Sequence, residues 1–219
     1  IYNFFWSQPA LNYGYAHPDP NKPWELPVDH PDCVAMKLEL MKIIDFWMDF
    51  GTDGFRVDMA QSLIKGDTDG SCLQRFWHEI RAHMEERNPE CLLIAEWGAP
   101  SEAIRAGFHL DFLLHSGPTA YRSLFRYEKG RNTFLGISGH SYLHKDGKGN
   151  INEFLDRFLY DMENTRGKGN IGLITGNHDM QRLAYGRTPE EVKAAMVFLF
   201  TMPGVPFVYY GDEIGMDYI

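Results

Sequence analysis

The chain lacks any apolar run of the roughly 20 residues that a membrane-spanning helix requires. It is also short of positive charge, since 21 Lys and Arg stand against 30 Asp and Glu, which gives a formal net charge of −9. Few basic groups are therefore available to neutralise the phosphates of a nucleic acid. From these two absences we expect neither a membrane nor a nucleic acid as a partner.

Cysteine is scarce as well. The 219 residues contain three, Cys33, Cys72 and Cys91, and none of them forms a CxxC pair. An odd number without that spacing indicates free thiols rather than a disulfide framework or a zinc site. Free thiols are typical of a reducing compartment, and we therefore expect a cytoplasmic protein.

Short apolar runs alternate with longer segments of helical periodicity. The runs predict five strands, near residues 54–59, 92–96, 110–114, 171–175 and 206–210. The intervening segments predict helices over residues 32–50, 72–87, 154–162 and 189–201. Buried strands that alternate with helices are typical of βα units around a parallel sheet. The predicted fold class is therefore α/β.

Three of the predicted strands end in a carboxylic acid. The sequences GFRVDMA, LLIAEWG and LITGNHDM contain Asp58, Glu96 and Asp179, respectively. Ligands of parallel α/β sheets bind beyond the carboxyl ends of the strands, so we expect the three acids to lie around one site. Paired carboxylates are the catalytic groups of glycoside hydrolysis.

The neighbours of the first two acids suggest different roles. Side chains alternate along a strand, so Arg56 and Asp58 share one face, and we expect Arg56 to hold a buried Asp58 in its ionised form. Glu96 lies between apolar residues and Trp97, an environment that raises the pKa of a carboxyl group and suits a general acid. A structural Arg–Asp ion pair and a helix-capping Glu are the alternatives.

The third acid follows a histidine. His178 can donate a hydrogen bond to a sugar hydroxyl, and Asp179 can accept one or stabilise a developing positive charge. The tetrapeptide GNHD also occurs in metal-dependent phosphoesterases, but the other motifs of those enzymes are missing from this sequence.

These segments resemble the conserved segments of the α-amylase family, glycoside hydrolase family 13. The family has G-F-R-x-D with the nucleophile at the Asp, a strand that ends in the acid/base Glu, and N-H-D with the third carboxylate. The resemblance implies that Asp58 is the nucleophile, Glu96 the proton donor and Asp179 the acid that binds the hydroxyls of the reacting sugar. QPALN and GVPFVYYGDEIGM are similar to two further segments of the family.

The resemblance implies that Arg56 and His178 are supporting contacts with the substrate, and we expect further side chains to contact it. The candidate substrate-binding residues are Arg56, His178, Trp97, Tyr13 and Arg182. For the aromatic members of this set, packing in the core is the alternative.

The fold implied by the resemblance is a (β/α)8 TIM barrel. Residues 1–219 would form roughly its C-terminal five βα units, with residues 1–30 as a loop region near the end of domain B. The family's D-x-x-x-N-H segment is absent from this sequence, and an eight-stranded barrel cannot close on five strands. We therefore expect the intact polypeptide to supply the missing N-terminal strands and a C-terminal β-domain.

The resemblance points to no cofactor. Ala10 in QPALN replaces an Asp that helps to hold calcium in some members of the family, so we do not expect structural Ca²⁺ there.

The function implied is that of a retaining glycoside hydrolase, which cleaves α-glucosidic bonds in starch-derived or related oligosaccharides through a covalent glycosyl-enzyme. One alternative is a transglycosylase of the same family, trehalose-forming or sucrose-acting. A non-catalytic carbohydrate-binding or scaffold subunit is another, but it predicts the loss of at least one acid, and all three are present.

Overall fold

A computed structural model of the chain describes residues 10–114, 121–125, 141–145, 147 and 150–217. The chain divides into two compact units. The first unit is Ile1–Glu96 with Arg105–His109, and the second unit is Trp97–Ile104 with Leu110–Ile219.

The described residues of the first unit form two α-helices, each followed by a strand. These elements are α1 (Pro31–Asp49), β1 (Gly54–Val57), α2 (Ser71–Arg87) and β2 (Leu92–Ala95). The two strands are parallel, and Val57 of β1 pairs with Ala95 of β2. Asp58 and Glu96 therefore directly follow the ends of two neighbouring strands.

The close approach of these strands depends on a glycine. A Cβ atom at Gly54 would lie 2.7 Å from the carbonyl oxygen of Leu92 and 2.9 Å from its Cβ. Both distances are shorter than real side chains allow. The start of β1 can therefore lie this close to β2 only because glycine has no side chain.

The described part of the second unit contains three parallel strands in the order β3, β4, β5. Its elements are α3 (Pro100–Arg105), β3 (Leu110–Phe112), α4 (Arg122–Phe125), α5 (Ile151–Thr165), β4 (Asn170–Ile174), α6 (Pro189–Thr201) and β5 (Val205–Phe207). Leu110 pairs with Asn170, and Gly172 pairs with Val205. A cluster of buried apolar side chains from these helices and strands forms the core of the unit.

The predicted elements agree with the structure. Each of the five predicted strands overlaps an observed strand, and the predicted helix over 189–201 has the observed bounds. The helix predicted over 154–162 is longer, from Ile151 to Thr165. Helices α3 and α4 were not predicted, because 6 and 4 residues are too short to show a helical period. Residues 10–30 contain no regular element, as expected, and the rest of that loop lies outside the described residues.

Helix α6 begins with a reciprocal pair of hydrogen bonds. The hydroxyl oxygen of Thr188 accepts from the backbone N–H of Glu191 at 3.3 Å, and the carboxylate of Glu191 accepts from the N–H of Thr188 at 2.7 Å. This capping box satisfies two donors that the helix itself leaves without a partner. Thr188 is thus the N-cap of α6.

We expect Thr188→Ala to lower the free energy of unfolding by about 1 kcal/mol, because the N-cap acceptor is lost. Thermal or denaturant unfolding of the intact protein measures the effect. Thr188→Ser is the matched control, since serine keeps the hydroxyl group. An equal loss in both variants would contradict a role for the hydroxyl.

Candidate active site

One guanidinium group connects two of the predicted catalytic acids. Arg56 Nη1 donates to Asp58 Oδ1 at 2.7 Å, and Arg56 Nη2 lies 2.7 Å from Glu96 Oε2. The parallel register produces this arrangement, because the N–H of Glu96 donates to the carbonyl of Val57 at 2.9 Å and extends the pairing of β1 with β2 by one residue. Asp58, Arg56 and Glu96 thus lie together in the first unit.

The two acids differ in environment. The Asp58 side chain is 69% exposed, whereas that of Glu96 is 11% exposed. The expectation that Asp58 is buried is therefore wrong. The strand pattern does not decide this exposure, because Asp58 and Glu96 each follow the last residue of a strand and yet only Glu96 is covered.

Glu96 has the electrostatics expected of a general acid. Burial raises the pKa of its carboxyl group above the usual value, the nearby charge of Arg56 opposes this effect, and a hydrogen bond and the negative charge of Asp58 add to it. The predicted rise in the pKa of Glu96 is confirmed. The physical cause is that the neutral form loses less hydration in a buried site, and a protonated carboxyl can donate to its neighbour.

The residue after Asp58 has an unusual backbone conformation. Met59 has φ 46°, and no other non-glycine residue of the described ranges has a positive φ. The backbone N–H of Met59 lies 3.4 Å from Glu96 Oε2. A short 3₁₀ turn, Ala60–Ser62, follows, and the indole N–H of the buried Trp77 donates to the Ala60 carbonyl at 3.0 Å. Strained backbone of this kind is concentrated at functional sites. No pattern in the amino-acid sequence predicted this conformation.

The third predicted acid belongs to the second unit. His178 and Asp179 follow β4, and both side chains are more than half exposed, with His178 Nε2 at 3.5 Å from Asp179 Oδ2. The side chain of Asn177 accepts from the N–H of Asp179 at 3.0 Å and thereby forms a local turn. Both side chains are therefore available to a ligand. That Asp179 meets the other two acids stays a prediction.

Arg182 is bound by protein groups. Its guanidinium carbon lies 4.5 Å from the centre of the Tyr209 ring and 4.4 Å from that of Tyr210. It also donates to the Tyr210 carbonyl and lies 3.8 Å from Asp212 Oδ1. These contacts connect the loop after β4 to the segment after β5, and they favour a positioning role over a direct contact with substrate.

Tyr13 and Trp97 are both half-buried. The Tyr13 ring packs edge-to-face on Phe76, with 5.5 Å between ring centres, which favours the core alternative for this residue. Trp97 donates its backbone N–H to Asp111 Oδ1 at 2.9 Å. The substrate contacts predicted for these two rings stay predictions, as does the expectation that the protein needs no cofactor.

Asp111 is a buried carboxylate that the sequence analysis passed over. It lies in β3 and has no exposed surface. Burial raises its pKa to about 7, although backbone N–H groups that donate to it act in the opposite direction. An Asp inside the apolar run LDFLL is the sequence signal that could have identified it, since a buried charge needs several hydrogen-bond donors.

In the part of the chain that the structure describes, no helix combines the length and apolar character needed to cross a bilayer. The three cysteines are free.

Relatives of known function match most of this chain but are much longer. It is 28% identical to alpha-amylase 3 of Dictyoglomus thermophilum over 99% of its own length and 36% of the relative's. It is 30% identical to a 4-alpha-glucanotransferase of Thermotoga neapolitana over 88% of its length and 37% of the relative's. The chain therefore spans little more than a third of these relatives.

Solved structures show the same fold. The debranching enzyme of Nostoc punctiforme superposes with a TM-score of 0.60 at 25% identity, over 84% of this chain and 36% of that protein. The trehalulose synthase MutB from Pseudomonas mesoacidophila superposes with a TM-score of 0.60 at 16% identity, over 85% and 36%. The fold is thus α/β, and the chain is part of a (β/α)8 barrel.

The family model described as "Alpha amylase, catalytic domain" matches residues 6–219. The match includes all the strands and all the acids described above. The chain belongs to the α-amylase family, glycoside hydrolase family 13, and carries part of its catalytic domain.

Proposed function

We propose that the intact protein cleaves α-glucosidic bonds in starch-derived oligosaccharides with retention of configuration. The observation that carries this proposal is the pairing of two unlike acids by Arg56. Asp58 is exposed and free to attack, whereas Glu96 is buried and has a raised pKa. Two carboxyl groups in contrasting environments are what a nucleophile and a proton donor require.

The reaction follows from these roles. A carboxylate oxygen of Asp58 forms a bond to the anomeric carbon while Glu96 gives its proton to the departing glycosidic oxygen, whose bond to that carbon breaks. The product of this step is an ester between the sugar and Asp58. Glu96, now ionised, removes a proton from water, which attacks the same carbon and releases the sugar with its original configuration.

The loop after β4 supports the same assignment. Resemblance to the family gives Asp179 and His178 the task of binding sugar hydroxyls. Their exposure and the turn formed by Asn177 are compatible with that task. The substrate we propose is an α-glucan or an oligosaccharide derived from one.

Transfer to a second sugar is the alternative. The relative from Thermotoga neapolitana, 30% identical over 88% of this chain, is a 4-alpha-glucanotransferase. In that reaction the hydroxyl of another glucan, instead of water, attacks the covalent intermediate. The residues Asp58 and Glu96 would keep the roles described above.

Product analysis of the intact protein separates these functions. The substrates are maltose, maltotriose, isomaltose, sucrose and soluble starch, and NMR follows the anomer that forms first. We expect shorter sugars with the α configuration. Oligosaccharides longer than the substrate would favour transfer, while β products or no turnover of any substrate would contradict the proposal.

Asp58→Asn removes the nucleophile, and we expect it to lower kcat/KM on maltotriose roughly 10³-fold or more. Asp69→Asn is the matched control, because Asp69 is an exposed acid of the same unit that accepts from the N–H of Ser71 at 3.0 Å. The control should retain activity within about twofold, as surface changes do. Near-normal turnover by Asp58→Asn would contradict the assignment of Asp58 as the nucleophile.

The proton donor also predicts the pH dependence. Glu96 must be protonated to act, so kcat/KM on maltotriose falls as the pH rises through its pKa. The charge of Arg56 lowers the pKa of Glu96, so Arg56→Gln should move this alkaline limb to higher pH by roughly one unit. The measurement is the pH profile of kcat/KM.

Arg81→Gln is the control for that profile. Arg81 forms an ion pair with Glu85 at 2.6 Å in α2, and its removal should leave the alkaline limb in place. A limb that moves to lower pH in Arg56→Gln would contradict the assignment of Glu96.

A further inference from the structure

The segment that follows Glu96 is bound by one buried carboxylate. Asp111 Oδ1 accepts from the N–H of Trp97 at 2.9 Å and from that of Gly98 at 3.3 Å, while Oδ2 accepts from the N–H of Ala99 at 2.8 Å. Three consecutive backbone donors thus converge on a single side chain. All of these contacts lie within the second unit.

The conformation of this segment explains why it needs such an acceptor. Gly98 has φ +78°, in the left-handed region, and three successive N–H groups are directed to the same side. A buried donor without a partner costs about 1–3 kcal/mol. A carboxylate can serve all three donors, whereas an amide has one oxygen and would direct its own N–H groups at them.

Burying a carboxylate costs free energy, because the charged group loses its hydration. Asp111 is fully buried, and Asp161, whose side chain is also fully buried, accepts from the N–H of Ser101 at 3.3 Å. Two buried acids therefore bind the backbone of residues 97–101. Asp161 also forms an ion pair with Arg157 at 2.9 Å. Buried acids of this kind contribute little net stability but can specify one conformation of the backbone that they bind.

The peptide bond transmits this constraint to Glu96. The N–H of Trp97 belongs to the planar group that begins at the Cα atom of Glu96. A hydrogen bond to that N–H fixes the backbone on one side of the Glu96 Cα atom, and the bond from the Glu96 N–H to the Val57 carbonyl fixes it on the other side. Holding the backbone on both sides limits the directions that the Glu96 side chain can take.

We propose that Asp111 is a positioning residue for the proton donor: it fixes the segment from Glu96 to Ala99 so that the Glu96 carboxyl reaches the glycosidic oxygen. The inference rests on the proposed function. It assigns to Asp111 no contact with substrate.

The test compares two substrates of the intact protein. Maltotriose has a leaving group that needs a proton, whereas α-glucosyl fluoride releases fluoride, which leaves without one. A displaced proton donor therefore slows the first reaction selectively. We expect Asp111→Asn to lower kcat/KM on maltotriose roughly 10²-fold, the cost of a misplacement of about 1 Å, and to change kcat/KM on the fluoride less than fivefold.

Two further variants complete the comparison. Glu96→Gln should show the same selectivity to a greater degree. Asp67→Asn is the matched control, because Asp67 accepts from the N–H groups of Cys72 and Leu73 at 3.4 and 2.7 Å but does so at the start of α2, which carries no predicted site residue. It should lower the thermal stability and leave kcat/KM unchanged on both substrates.

If Asp111→Asn fails to fold, Gly98→Ala makes the same comparison. A Cβ atom there would lie 3.3 Å from Leu114 in a conformation that alanine disfavours, so the segment moves while the side chain at position 111 stays an aspartate. Selective loss on maltotriose in either variant supports the inference.

Equal losses on the two substrates would overturn the inference, because they would show a general structural role. Unchanged activity on both would overturn it as well. A wild-type protein that acts on neither substrate would instead refute the proposed function, and the inference with it.

Discussion

The contact between the Arg56 guanidinium and two carboxyl groups is the interaction on which the proposed chemistry depends. Two neighbouring carboxylates repel each other, and a shared cation lets them lie close together. The cation is placed by elementary sheet geometry, since it lies in β1 while Glu96 follows β2 in parallel register. The pair is asymmetric, because the side chain of Asp58 is exposed whereas that of Glu96 is covered. A difference in burial thus becomes a difference in chemical role.

The second unit uses buried acids in another way. Asp111 and Asp161 accept backbone N–H groups of one segment, and Asp161 also forms an ion pair with Arg157. Helices and strands satisfy their backbone groups internally, whereas a buried loop needs other partners, and side chains are one source of them. In the region after β2, two buried acids supply these partners.

The sequence predicted most of the scaffold, because its signals there are local. Thr188 followed by a proline and acids specifies a helix start, and the Arg56–Asp58 spacing specifies a shared strand face. The exposure of Asp58 was predicted wrongly, because burial depends on which groups cover a residue in the fold rather than on the strand pattern. Asp111 was overlooked because a single acid inside an apolar run does not indicate a role by itself. Its role depends on three backbone donors, which belong to residues more than ten positions earlier in the sequence. Whether Asp179 joins the other two acids is a long-range property that local patterns do not determine.

The left-handed backbone of Met59 has a consequence for protein engineering. Residues branched at Cβ, such as valine and isoleucine, are strongly disfavoured at φ 46°, whereas glycine and asparagine adopt this conformation readily. In a mutant library around Asp58 that is built to find new linkage preferences, many substitutions at position 59 would therefore destabilise the fold. Such a library would contain more folded variants if it excluded branched residues at position 59 and varied positions with ordinary dihedral angles instead.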